Sequence, residues 1–181
     1  MALRLGLWMR YLLGFRLAPF VATPPHVARR MLQLASLRPS DFVYDLGCGD
    51  ARLLIAAAKL YGVKGYGVEL DSQLFREAKE SVTKEQLDHI IALEQRDAFE
   101  VDLTPATVLT LYLSEKGNLK LLPKMRRELR AGARVVSFCW AIAGVKPSAT
   151  TRVDGIDLFL YDTNTLRASS HVDPCSERNS L

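Results

Sequence analysis

The stretch VYDLGCGDARLLIAAAKLYGVKGYGVEL, Val43 to Leu70, decides the reading of this chain. An apolar run stops at two glycines flanked by aspartates, resumes as an alanine-rich helix, and closes on a second apolar run ending in Glu69 and Leu70. Strand, glycine loop, helix, strand is the order of a parallel β-α-β unit, whose first loop lies at the carboxyl edge of the sheet where ligands bind. A chain that only had to bury a core would have little use for the interruption.

Working outward, the pattern predicts strands at Phe42 to Leu46, Gly65 to Leu70, Ile90 to Glu94, Thr107 to Leu113 and Arg134 to Phe138. Helices are predicted between them, at Ala51 to Tyr61, after a cap at Asp71 with Leu74, Phe75 and Ala78 turned inward, and at Leu119 to Leu129. Alternation of this kind requires right-handed crossovers and a doubly wound, mostly parallel α/β sheet. Its end departs from the rule, because Thr150 to Val153 and Ile156 to Tyr161 are separated only by Asp154-Gly155, a two-residue turn that makes an antiparallel hairpin. Seven strands result. Upstream, Thr23 and Pro24 read as the cap and first position of a helix carrying Val27, Met31, Leu34 and Ala35 at helical spacing.

The 181 residues, 49% hydrophobic and 24% charged, suit one globular domain with a sizeable core. We divide them into an apolar, arginine-bearing segment at 1–22, a ligand-binding domain at 23–162, and a polar tail at 163–181 expected to be disordered. The formal charge of +4 is local: residues 1–40 hold six arginines and no acid, and the remainder carries 18 basic against 20 acidic residues, or −2. A nucleic-acid partner is therefore not expected, since the body as a whole lacks the basic excess that phosphates select. Cys48, Cys139 and Cys175 are odd in number and widely spaced, which argues against a disulfide framework and a zinc site and fits a reducing compartment. The first segment is too often interrupted by arginine to span a bilayer. It reads as an interfacial membrane contact, a targeting segment or a helix packed on the domain.

Two cofactor classes use a glycine loop after the first strand. A dinucleotide calls for G-x-G-x-x-G, and Arg52 occupies the third glycine position. What stands here instead is D-x-G-x-G, Asp45 to Gly49, with Cys48 between the glycines. A carboxylate beside the loop would repel a pyrophosphate but suits a ligand with cationic ammonium and sulfonium groups, such as S-adenosylmethionine. Gly47 and Gly49 let the backbone approach that ligand, and the following helix turns its free N–H groups toward it. Glu69, followed by Leu70, is placed to accept from both ribose hydroxyls, and Asp97 with the Ala98 N–H to meet an adenine edge. Bland alternatives stand beside these: Asp45 as a loop cap, Glu69 as a solvated strand end, Cys48 as a tolerated small residue, and the basic run from Lys116 to Arg130 as a solvated helix face.

DLGCGDAR together with GYGVEL resembles the first motifs of seven-strand S-adenosylmethionine-dependent methyltransferases, and VDGIDLFLYD is similar to their closing hairpin. PFVATPPHVARRML before the loop, and the short path from RVVSFCW to the hairpin, resemble more narrowly the membrane-associated protein-lysine methyltransferases that modify the adenine nucleotide translocase and the ATP synthase c subunit, with their prokaryotic relatives. The resemblance runs from about Pro19 to Asp162, with Ala51 where the family often has a third glycine. It implies a methyltransferase using S-adenosylmethionine, a protein substrate that extends to membrane proteins, peripheral membrane contact through residues 1–22, and a cytoplasmic or membrane-associated placement, mitochondrial in a eukaryote.

Methyl transfer from a sulfonium is an in-line displacement, so the protein has mainly to hold an uncharged nucleophile in a water-poor channel. A lysine, with a pKa of about 10.4 in water, must first lose a proton, which burial and a nearby positive charge favour. Thr23 and Pro24, Ser114 and Glu115 after the fourth strand, and Trp140 after the fifth are the expected lining of that channel, with no residue assigned as a catalytic base. LYLSEKG lacks the N-P-P-Y type motif of adenine and glutamine-amide methyltransferases. A small-molecule or RNA methyltransferase, or a non-catalytic module that binds the cofactor without turnover, remain the alternatives.

Overall fold

The computed structural model describes residues 22–168. Its order is α1 (Pro25–Leu34), β1 (Phe42–Leu46), α2 (Arg52–Tyr61), β2 (Lys64–Val68), α3 (Ser72–Lys84), β3 (Ile91–Glu94), a short 3-10 turn (Ala98–Glu100), β4 (Val108–Leu111), α4 (Glu115–Glu128), β5 (Arg134–Phe138), β6 (Ala149–Val153), β7 (Ile156–Asp162) and α5 (Thr163–Ala168). The seven strands form one sheet in the order β3-β2-β1-β4-β5-β7-β6. β1 to β5 are parallel, while β7 runs antiparallel between β5 and β6. This is the predicted doubly wound sheet with a hairpin end, turned at Asp154 and Gly155, both with positive φ.

Alternation within each buried strand divides the core between two faces. On one, Val43, Val108, Val136 and Phe138 meet Met31 and Leu32 of α1, Leu54 and Ala57 of α2, and Ala78 and Val82 of α3. On the other, Leu46, Leu109, Leu111 and Val135 meet Leu121 and Met125 of α4 and Leu166 of α5, with Val101 and Leu103 filling the place a helix would take between β3 and β4. α2 lies close on the sheet because β2 carries Gly67: a Cβ there would stand 2.7 Å from Leu54 Cδ1, 2.8 Å from Leu93 Cδ2 and 2.9 Å from Cys48 Sγ.

Four local expectations are corrected. The first helix begins one residue later, with Pro24 at the cap and Pro25 inside, so Thr23 makes no cap bond. β2 ends at Val68, placing Glu69 and Leu70 just past the strand. α4 begins at Glu115, because Ser114 accepts from the Gly117 N–H at 3.0 Å and caps it; Ser114 and Glu115 therefore open a helix and do not belong to a loop. The expected disordered tail begins as helix α5, since Thr165 N–H donates to Asp162 Oδ1 at 2.8 Å, Leu166 is buried, and Arg126 and Arg167 donate to the Leu166 and Leu129 carbonyls, each at 2.6 Å. Apart from Ala22, the readings of residues 1–22 lie outside the described residues, as does that of 169–181. No described helix is long and apolar enough to cross a membrane.

Candidate active site

The strand order reverses between β1 and β4, and the carboxyl ends of these strands hold the candidate site. Asp45 and Thr110 are register partners across that junction, and the Thr110 hydroxyl donates to Asp45 Oδ1 at 2.8 Å. Asp45 is 8% exposed. Burial pushes its pKa up from 3.8 to about 7, with the Glu69 and Asp50 carboxylates adding to the rise and the Thr110 hydroxyl opposing it. It is a buried acid short of positive charge, not a loop cap.

Beyond Asp45 the chain turns through Gly47 and Gly49, with φ of +80° and +57°. The Gly47 and Cys48 N–H groups both donate to the Val68 carbonyl at 2.9 Å, which stitches the loop to the end of β2. Glu69, 7% exposed, completes the stitch: Oε2 accepts from the Gly49 N–H at 3.1 Å and Oε1 from the Asp71 N–H at 2.9 Å. It is therefore anchored and buried, not solvated. Its main chain reaches β3, as the Glu69 N–H donates to the Glu94 carbonyl and the Arg96 N–H to the Glu69 carbonyl, each at 3.2 Å. Asp97 follows there as cap of the 3-10 turn, accepting from Phe99 N–H at 2.9 Å, with Ala98 buried beside it and Leu70 exposed. Burial, and then the Asp45 and Glu69 carboxylates, push the Cys48 thiol well above its usual pKa, so it is no thiolate nucleophile.

Ala51 holds the left-handed conformation (φ +63°) just before α2, the backbone state that favours glycine at this position. Arg52, which displaced the dinucleotide glycine, grips Asp50 through Nε and Nη2 and reaches the Thr23 carbonyl through Nη1 at 3.1 Å. Thr23 is thereby tied to the glycine loop, with Pro24 next to it. Ser114 and Trp140 are joined through Asn118, whose N–H donates to the Ser114 carbonyl at 2.8 Å and whose side chain donates to the Trp140 carbonyl at 2.9 Å. Glu115 stands exposed in the first turn of α4, where its charge complements the helix dipole.

The residues expected on the cofactor side lie at the ends of β1, β2 and β3, and those expected along the acceptor's path fall into two groups, Thr23 with Pro24 and Ser114 with Trp140. Sequence reasoning missed Thr110, Asp50 with Arg52, and Asn118 with Ser137. A threonine inside the apolar strand VLTL was the available signal for the first. The set offers a ligand two buried carboxylates and glycine-walled backbone. That donor set fits S-adenosylmethionine better than a dinucleotide.

Residues 45–149 match the profile of a family described as ANTKMT methyltransferase domain. The chain belongs to this family and is an S-adenosylmethionine-dependent methyltransferase. It is 42% identical over 137 residues to a protein-lysine N-methyltransferase of Saccharolobus islandicus, spanning 75% of this chain and 85% of that protein. It is 28% identical over 157 residues to the mouse adenine nucleotide translocase lysine N-methyltransferase, spanning 83% of this chain and 68% of the relative. Among solved structures, an RNA methyltransferase from Salinibacter ruber in complex with S-adenosyl-L-homocysteine is similar at a TM-score of 0.77 and 36% identity, covering 79% of this chain and 94% of that one.

Proposed function

We propose that this enzyme methylates a lysine side chain of a protein. The observation that carries the reading is the 42% identity, across three quarters of the chain, with the archaeal protein-lysine N-methyltransferase. The methyltransferase domain, in this reading, runs over residues 23–162, beyond both ends of the family match.

The residues fit the donor as follows. Asp45 would face its cationic amino-acid end, Gly47, Cys48 and Gly49 would supply close-approach backbone, Glu69 and Leu70 would take the sugar, and Asp97 and Ala98 would take the base. What the bound cofactor supplies is an electrophilic methyl group on a sulfonium. The work of the protein is then to bring a neutral amine to it in line and to keep water out. Thr23, Pro24, Ser114, Glu115 and Trp140 line the acceptor's path. Of these, Ser114 and Thr23 are buried, and Trp140 offers its indole. A lysine drawn between an apolar wall and a positive charge loses its proton more readily than in water.

Apolar exposure supports a protein acceptor. Six large hydrophobic side chains are exposed among the described residues, and four of them, Leu70, Phe99, Leu119 and Trp140, follow the carboxyl ends of β2, β3, β4 and β5. Exposed apolar side chains at that edge suit a lysine flanked by apolar neighbours, such as one at the surface of a membrane protein, a narrower reading that the translocase methyltransferase relative also supports. The likeness to the Salinibacter RNA methyltransferase favours a second acceptor class, RNA, against which stands the −2 charge of the chain beyond residue 40. The test is incubation with methyl-tritiated cofactor and a cell extract, separated afterwards into protein and RNA. Label in protein, recovered as methyl-lysine on hydrolysis, is the expected result; label in RNA with none in protein refutes it.

A further inference from the structure

One buried polar cluster at the carboxyl edge shares no described hydrogen bond with a residue assigned to the donor. Asn118, in the first turns of α4, is 0% exposed. Its amide nitrogen donates to Ser137 Oγ at 3.0 Å and to the Trp140 carbonyl at 2.9 Å, and Ser137 Oγ donates to the same carbonyl at 2.6 Å. The orientation of the amide is fixed, because the Trp140 carbonyl can only accept. Asn118 Oδ1 is left buried with no hydrogen-bond partner among the described residues. A fully buried position would ordinarily avoid that cost with an apolar side chain.

The carbonyl held in this way ends a tight turn. Trp140 N–H donates to the Phe138 carbonyl at 2.9 Å, across Cys139 with φ of +70°. A three-residue turn with a positive central φ is a rare, strained conformation, and for a residue with a Cβ it persists only where neighbours hold it. The Cys139 N–H is itself anchored on the Asp157 carbonyl of β7 at 2.9 Å, so the turn is clamped on both sides. What it carries outward is the Trp140 indole, 43% exposed.

We propose that Asn118 is a positioning residue for the methyl acceptor: with Ser137 it clamps the strained Cys139 turn, and so fixes the Trp140 indole as one wall of the acceptor's path. This rests on the reading that the acceptor enters over the ends of β4 and β5. Strain and an orphaned amide oxygen are both accounted for if the place of the indole matters more than local stability.

The test uses the full chain with Trp8→Phe, which leaves Trp140 as the sole tryptophan. Asn118→Asp keeps the shape and sets an acceptor against the Trp140 carbonyl. We expect acrylamide quenching of Trp140 to rise at least twofold, the extract concentration giving half-maximal label incorporation to rise at least fivefold, and the dissociation constant for S-adenosylhomocysteine to stay within twofold of the parent. Ser137→Ala, which removes one donor and leaves Asn118 in place, should shift the first two readouts the same way by less, and it decides the matter if the Asp variant does not fold. Unchanged quenching overturns the proposal, and so does a fall in maximal rate with half-saturation unchanged. If the parent labels RNA instead of protein, the lysine reading fails while the same ratios still judge Asn118; a parent that labels neither overturns both.

Discussion

Replacing Asp45 by Asn should make this enzyme more stable and a poorer binder of its cofactor at once. The side chain is buried, with one described hydrogen bond, from Thr110, and its pKa is pushed up from 3.8 to about 7. That gap corresponds to roughly 4 kcal/mol between the two protonation states. Because the folded value is raised, the native state holds its proton more tightly than the unfolded chain. The stability this confers is whole below 3.8 and is lost as the pH climbs through about 7. At pH 8 the carboxylate is ionised and the full penalty applies. Asn keeps the shape and the bond from Thr110 without the charge, though its amide nitrogen then needs an acceptor, so we expect a gain on the order of 1–2 kcal/mol and a rise in Tm of about 4 °C. On the proposed binding mode, the same substitution removes the anion that would face the cationic end of the cofactor. A hydrogen bond to a charged group contributes about 1.5–3 kcal/mol, so the dissociation constant for S-adenosylhomocysteine should rise about 10- to 100-fold. In the parent, affinity should climb close to tenfold per pH unit below about 7 and level off above it, while the variant should show no such slope. Calorimetric titration and thermal melts, both repeated from pH 5.5 to 8, read all of this. An Asn variant that binds as tightly as the parent, or melts lower at pH 8, refutes the reasoning.

Glu69→Gln should weaken cofactor binding about tenfold by the same titration, and also lower stability by about 1 kcal/mol, because its carboxylate holds the Gly49 and Asp71 N–H groups. Gly67→Ala should cost about 1–3 kcal/mol in a urea melt, since the new methyl group would press on Leu54, Leu93 and Cys48 at under 3.0 Å. At Asp41, burial alone would raise the pKa, but hydrogen bonds from Arg134, the Arg38 N–H and Thr107 outweigh it and lower it below 3.8. The stability from this site is therefore present above pH 3.8 and lost as the pH falls further, and Asp41→Asn should remove that part of the acid limb of the stability curve.

Much of the sheet was legible because its strands are short apolar runs bounded by turn residues, and their shortness separates them from the helices. β1 and β5 begin and end where the pattern placed them. Helix starts were less legible, since the Ser114 cap and the Pro24-Pro25 entry are decided by one hydrogen bond and one ring, which hydrophobic spacing does not report. Asp45 and Glu69 were visible as acids out of place at strand ends. Their supports were not: Thr110 is 65 residues from Asp45 in sequence, and Ser137 is 19 from Asn118. The first pair meets only through the β1-β4 neighbourhood of the assembled sheet, the second only where α4 packs against β5.

The central claim is that the crevice at the β1-β4 reversal holds the methyl donor between Asp45 and Glu69. A crystal structure grown with S-adenosylhomocysteine tests it most directly. The account predicts the ligand's amino group beside Asp45, its ribose hydroxyls on Glu69 and its base near Asp97 and Ala98. Electron density for the ligand at any other place in the fold, or the reverse orientation in this crevice, would contradict it.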